Sequence, residues 1–416
     1  MPVALGGQRA WQQPLDALRE HAWDALVAGA GPAGAITALN LASQGYRVLL
    51  VDKARFPREK PCGDALVADA VRCLRRAGLL ERVRRLAREA PAATAVSSSG
   101  VEVDLPGPYL TLRRAELDRV LAEGAARAGA VVCHAQVRDL RGTDEGTVVA
   151  SFEGTAREAC ARTGVVATGA SLALARRFDA GRRRLPAAVG VRRYVRSTFR
   201  LDRLLAFYDP WILPGYAWVF PVGDDEYNVG CAQFHRGGHA GVRDLRAAFE
   251  KAAGRVPLAK AVLDQCRDAS PWRAAMLRCG LRGARPLLAS NVLAVGETIG
   301  STLPLTGEGI GAAMETGEMA AAAIHAALTS GRLEALAEYP RRIEQRFRPR
   351  HLAYAAAERC ATIRWLNDTV ARTIRNGSFT HALAASVVGD SPRSAGVALL
   401  RGAFRALAKA RAWASR

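Results

Sequence analysis

The chain has 416 residues, half of them apolar, enough for two or three structural units around a sizeable core. Its net charge of +20 is carried almost entirely by arginine, which beside the abundant alanine reads first as coding bias; the charge itself favours diphosphates, acidic carrier proteins or membrane surfaces, and with no nucleic-acid-binding motif it does not read as DNA binding. No apolar run reaches the ~20 residues of a bilayer span, and the eight cysteines include no C-x-x-C pair, which excludes a zinc ribbon or a thioredoxin-like dithiol.

Residues 1–22 mix Arg and Glu among small residues and lack the apolar centre of a secretory signal, so a cytoplasmic location is expected. Residues 25–28 form a short apolar strand. Gly29-Ala30-Gly31-Pro32-Ala33-Gly34 follows, then a helical stretch with Ile36, Leu39 and Leu41, a helix-ending Gly45, and a second strand from Val48 to Val51 that closes on Asp52 and Lys53. In such a strand–turn–helix–strand unit each glycine has a mechanical task. Gly29 permits the tight turn, Gly31 lets the backbone approach a pyrophosphate, and Gly34 allows helix and strand to pack closely. The open amides of the helix start face that pyrophosphate, and Asp52 accepts from ribose hydroxyls. This fingerprint means a dinucleotide without separating NAD from FAD.

Cys62 lies between a proline and a glycine, hence on a loop, where it reads as a thiol able to donate a proton at neutral pH or as a buried structural cysteine. Arg58 and Lys60 beside it read chiefly as solvated, with a phosphate contact or tuning of the thiol as the alternatives. Residues 93–105 alternate like a strand, and Arg114 opens a helical stretch. Arg176-Arg177 and Arg182 to Arg184 read as solvated loop, with a diphosphate or membrane contact as the alternative. Tyr216, Trp218 and Phe220 alternate, so on a strand they share one face, either an ordinary core or the wall of an apolar pocket. His235 and His239 flank Arg-Gly-Gly and suggest a surface loop rather than a metal pair.

Residues 291–295 form a buried strand followed by Gly296-Glu297-Thr298-Ile299-Gly300 and Gly307-Glu308-Gly309-Ile310, then an alanine-rich helix. Glycines here bring amides to a phosphate or to a flavin edge, which turns the dinucleotide into FAD. The stretch from residue 329 onward is mostly helical. Near its end Val397, Leu400, Phe404 and Leu407 recur at helical spacing among Arg401, Arg405, Lys409 and Arg411, as in a basic helix on an anionic membrane surface or, equally, a helix docked on the body.

Taken together these segments resemble the FAD-dependent oxidoreductases of p-hydroxybenzoate-hydroxylase-like architecture, and within that group the sequence is most similar to the geranylgeranyl reductase family. The resemblance spans residues 22–330. It rests on the first fingerprint, on Phe56 to Asp64 with its Cys-Gly, on Arg114-Ala115-Glu116-Leu117-Asp118, on Tyr216-Ala217-Trp218-Val219-Phe220-Pro221, and on Gly296 to Gly311. It implies an α/β fold in which a glutathione-reductase-like FAD-binding Rossmann domain (22–90, 111–185 and 283–328) is interleaved with a mixed β-sheet substrate domain (91–110 and 186–282) ahead of a C-terminal helical region (329–416).

The same resemblance implies FAD held by Gly29, Gly31, Pro32, Ala33, Gly34, Asp52, Lys53, Arg114, Gly296, Glu297, Gly307, Gly309 and Ile310. A hydrophobic substrate would lie against Tyr216, Trp218 and Phe220, Cys62 would stand near the flavin, and NAD(P)H or ferredoxin would donate electrons. The implied reaction is reduction of carbon–carbon double bonds in a prenyl-type or other hydrophobic substrate. An oxygen-using monooxygenase or halogenase and a redox-neutral flavoprotein are the rivals. Two departures bear on flavin reduction: Glu297 stands where the superfamily has aspartate, and Ala167-Thr168-Gly169 replaces Ala-Asp-Gly. No sequence feature bears on oligomeric state.

Overall fold

The computed structural model describes residues 11–18, 22–143, 146–178, 188–234, 244–281, 283–361 and 363–375. Arg182 to Arg184, His235, His239 and the basic C-terminal stretch 397–411 lie outside the described residues. The fold is α/β and contains two large sheets.

The first sheet runs in the order Gln12–Pro14, Val131–His134, Val48–Asp52, Trp23–Ala28, Glu158–Val166, Val292–Ala294, Leu287–Ala289; all neighbours are parallel except the last pair. A hairpin, Val137–Gly142 with Val148–Phe152, joins it along Glu158–Val166. Strand Val48–Asp52 is buried throughout, as expected of a parallel strand covered on both faces. Helix Pro32–Ala42 packs between helices Arg114–Arg127 and Ile310–Ser330, so alanine-rich sequence becomes close helix packing.

The second sheet is ordered Cys266–Ala269, Ala188–Ser197, Glu226–Phe234, Gly215–Pro221, Leu204–Phe207, Arg88–Val96, Glu102–Thr111, Ala65–Leu66, with Arg273–Leu277 also on Ala188–Ser197. Only Leu204–Phe207 against Arg88–Val96 is parallel. Helix Leu245–Ala253 covers one face, where Ala217, Val219, Tyr227 and Phe249 form a core of their own. Because side chains alternate, Tyr216, Trp218 and Phe220 must leave from the opposite face.

One local expectation is corrected. Residues 93–105 are not one strand. The chain reverses after Ser97, whose N–H donates to the Val101 carbonyl at 2.9 Å, and Gly100 takes the turn at φ +85°. The alternating pattern is continuous in sequence but belongs to two antiparallel strands.

Candidate active site

The strand Trp23–Ala28 ends beneath the start of helix Pro32–Ala42, whose N-cap, Gly31, offers no side-chain cap. The first-turn amides therefore remain open for an anion. Gly29 adopts φ +111°, and a β-carbon there would lie 2.3 Å from the Ala167 carbonyl oxygen. A β-carbon on Gly34 would fall 1.9 Å from the Gly29 carbonyl oxygen, which is why helix and turn can close on each other only with glycine at 34.

All the residues proposed from sequence to bind cofactor or substrate, and Cys62, line one cavity of about 730 Å³, except Gly34, which lies beneath the loop. That volume falls within the range of cofactor and ligand sites. The open helix start at one side of this cavity, with glycine backbone facing it, fits a dinucleotide pyrophosphate. Among the described residues no cluster of His, Cys, Asp and Glu could hold a metal ion, and no helix is long and apolar enough to cross a membrane.

Arg58 is not solvated, contrary to the favoured sequence reading. Its Nε lies 3.6 Å from Asp52 and a terminal nitrogen is 3.0 Å from Asp118, its guanidinium stands over Phe56, and its second terminal nitrogen would be 3.5 Å from a β-carbon on Gly31. Nε is buried without a hydrogen-bond acceptor, the kind of atom a bound anion completes. Asp52 already accepts from the amides of Ala30 (2.8 Å) and Ala54 (2.9 Å), so it braces the phosphate loop as well as facing the cavity. Lys53 is at the exposed rim. Arg114 reaches the cavity from the first turn of its helix, where Asp118 holds it by two hydrogen bonds of 2.8 and 2.9 Å.

Tyr216, Trp218 and Phe220 do form one aromatic face, with successive ring centroids 5.8 and 6.2 Å apart, and the face lines the cavity rather than a sheet core. Cys62 and Gly63 approach it; a β-carbon on Gly63 would touch Phe220 at 3.5 Å and Trp218 at 3.7 Å. Burial pushes the Cys62 thiol above its ordinary value, and the Arg114 guanidinium opposes that shift. The cation acting on the thiol is thus Arg114, not Arg58 or Lys60; Lys60 faces Glu297 at 3.8 Å.

Glu297 is bound on both sides. It accepts from the Arg278 amide at 3.2 Å, and its other oxygen lies 3.7 Å from where a β-carbon on Gly169 would be. The longer acid at 297 thereby reaches across to the 167–169 turn. Thr168 donates instead to the Ser171 carbonyl at 2.7 Å. Gly296, Gly307, Gly309 and Ile310 border the cavity ahead of the long helix.

Sequence reasoning gave no role to Glu308. Its carboxyl is pushed up to about 7, first by burial and then by Asp69, against the pull of Arg350 at 3.9 Å. The folded state therefore binds a proton more tightly than the unfolded chain, and the stability this gives is complete below the ordinary glutamate range and is lost as pH rises through 7. Urea unfolding of Glu308→Gln should accordingly gain on the wild type by about 1–3 kcal/mol between pH 5 and pH 8. A stability difference that stays constant over that interval contradicts the assignment.

Comparison with known proteins decides the family. Residues 22–162 match the FAD binding domain family. The chain is 32% identical over 319 residues to the menaquinone reductase of Mycobacterium tuberculosis, covering 72% of this chain and 75% of that one. It is also 29% identical over 335 residues to digeranylgeranylglycerophospholipid reductase 1 of Methanothermobacter thermautotrophicus, covering 76% and 81%. The chain belongs to the geranylgeranyl reductase family of FAD-dependent oxidoreductases.

A solved geranylgeranyl bacteriochlorophyll reductase-like protein from Thermoplasma acidophilum shares the family's fold with this chain at a TM-score of 0.75 and 20% identity, covering 90% of this chain and 98% of that one. A flavin-dependent brominase superposes equally well, at 0.75 and 18% identity over 94% and 100% of the two chains, so the architecture is common to several flavin chemistries. For this member of the geranylgeranyl reductase family the chemistry has to be argued from the cavity.

Proposed function

We propose that this enzyme uses FAD to saturate carbon–carbon double bonds in the prenyl chain of a lipid, with a polyprenyl quinone or a polyprenyl phospholipid as the substrate class. The observation that supports this reading best is the continuity of one cavity from the phosphate loop at Gly31 to the aromatic face of Tyr216, Trp218 and Phe220. The M. tuberculosis relative is named for a menaquinone and the archaeal one for a digeranylgeranyl lipid, both of which carry isoprenoid chains.

In this reading the first sheet and its helices, with most of segments 22–90, 111–185 and 283–328, hold FAD, while Ala65–Leu66 and residues 88–90 pair into the second sheet. Gly29, Gly31, Pro32, Ala33 and Gly34 admit the pyrophosphate, with Arg58 beside it, and Asp52 and Lys53 take the ribose. Arg114 and the segment of Gly296, Glu297, Gly307, Gly309 and Ile310 flank the rest. Segments 91–110 and 186–282 hold the substrate. Reduced FAD, when bound, supplies a hydride. The aromatic face excludes water from the alkene and stacks along it, and Cys62 holds a proton on Sγ because burial disfavours its thiolate. Transfer of that proton to the second alkene carbon leaves a thiolate facing Arg114, which is reprotonated from solvent. NAD(P)H or ferredoxin is the electron source, and the arginine excess favours a lipid surface as the place where substrate is met.

Anaerobic mixing tests the reaction. The protein, reduced at its flavin, should regain oxidised-flavin absorbance when given polyprenyl quinones, phospholipids or diphosphates, with the saturated product found by mass spectrometry. A flavin that stays reduced across this panel, or that reoxidises only with oxygen consumed in step with substrate, sinks the reductase reading; the second outcome favours an oxygenase.

A further inference from the structure

The proposed acid and the proposed substrate wall come from segments more than 150 residues apart, and one fully buried side chain joins them. Asn228, on strand Glu226–Phe234, donates from Nδ2 to the Cys62 carbonyl at 2.7 Å and to Asp64 Oδ2 at 2.7 Å, while its Oδ1 accepts from Trp218 Nε1 at 2.9 Å. The amide can face only one way. Turned over, it would set N–H against N–H at Trp218 and oxygen against oxygen at the other two partners.

Asp64 completes the knot. It is buried, adopts φ +66°, a left-handed conformation uncommon outside glycine, and accepts from the Arg114 amide at 3.1 Å and from the Tyr194 hydroxyl at 2.7 Å. The Tyr194 ring is held by Arg113 and Arg192, each guanidinium 4.2 Å from its centroid, and Arg192 is paired with Glu59 at 2.6 Å. The turn that carries Cys62 thus takes its shape from three strands of the second sheet.

We infer that Asn228 is a positioning residue that fixes the Trp218 ring and the Cys62–Asp64 turn as one unit, so that the thiol and the alkene-facing wall keep a set spacing. The inference rests on the reductase reading only for the task given to Cys62; the coupling itself follows from the hydrogen bonds. Groups facing the thiol and Asp64 are Arg113, Arg114, Arg192, Tyr194 and Tyr216, with Glu59 behind Arg192. Burial, partly offset by Tyr194 and Asn228, raises the Asp64 carboxyl to about 6.

Asn228→Leu tests it in the flavin-loaded protein. The apolar side chain has the same branched shape and adds no charge, but it neither accepts from Trp218 nor donates to Cys62 or Asp64. Alkylation of each cysteine by iodoacetamide, followed by mass spectrometry, should show Cys62 reacting about tenfold faster, the scale of a lost buried hydrogen bond. The Asp64 carboxyl should give that rate an inflection, which moves upward when the Asn228 donor that favours its ionised form is lost. Exposed Cys160 should keep its rate and buried Cys73 its protection, which checks the fold.

An unchanged Cys62 rate and an unchanged inflection overturn the inference. Should Cys73 become reactive, Asn228→Ser, whose single hydroxyl donor cannot serve Cys62 and Asp64 together, takes its place and should raise the Cys62 rate about threefold; no rise overturns the inference equally. Because alkylation needs no substrate, a failed turnover assay with the expected cysteine pattern counts against the reductase reading and leaves Asn228 its role.

Discussion

Asp118→Ala should destabilise the protein by about 3–5 kcal/mol and release its flavin, because the substitution strands two arginines at once. Asp118 is fully buried and accepts from Arg114 at 2.8 and 2.9 Å while standing 3.0 Å from Arg58. Neither guanidinium can swing into water without leaving the cavity wall, and among the described residues Arg58 has only Asp52, at 3.6 Å, as a remaining acidic partner. Asp118→Asn keeps the shape and loses the charge, so it should fall between wild type and alanine. Urea unfolding and the flavin content after gel filtration read both effects. A loss below about 1 kcal/mol, the scale of an exposed pair, means that the network is not what holds these arginines.

A contrast between two glycines is expected to be nearly as large. Gly34→Ala forces a β-carbon to within 1.9 Å of the Gly29 carbonyl oxygen and 2.9 Å of the Ala167 side chain. Backbone cannot yield as a side chain can, so both thermal stability and flavin affinity should fall, the latter by about a hundredfold or more. Gly31→Ala meets only an Arg58 terminal nitrogen at 3.5 Å. The apoprotein should therefore melt as the wild type does while flavin affinity falls by a similar factor, because the new methyl group occupies the space a pyrophosphate needs. Fluorescence titration of apoprotein with FAD separates the two. Normal affinity in Gly31→Ala removes that loop from the phosphate site.

Much of the fold was legible because short-range rules governed it. Strands 25–28 and 48–51 and the intervening helix are fixed by apolar runs, glycine mechanics and a helix stop within thirty residues. The alternation at 216–220 correctly put three aromatics on one face, yet only the helix packed behind Ala217 and Val219 shows that the aromatic face is the one left for the cavity. Arg58 was misjudged because its partners Asp52 and Asp118 come from a strand end and from a helix sixty residues on. Asn228 left no signal at all. Its three partners are brought to it by sheet pairing and by a loop crossing from the other half of the chain, and no spacing in the sequence encodes that. The run at 93–105 failed for a different reason, since a two-residue period does not reveal where a strand turns back.

The cavity draws its walls from Ala28 at one extreme and Ala313 at the other, and Thr37 of the first helix donates to the Gly317 carbonyl 280 residues later. During synthesis the fingerprint strand and helix leave the ribosome long before strand Val292–Ala294 and helix Ile310–Ser330 exist to close the pocket. Cofactor capture must accordingly wait until about three-quarters of the chain has been made, and a chain stalled earlier would expose the side of Pro32–Ala42 that Ile310–Ser330 covers. Flavin supply therefore acts late in synthesis, and a shortage of FAD would accumulate empty protein rather than arrested fragments.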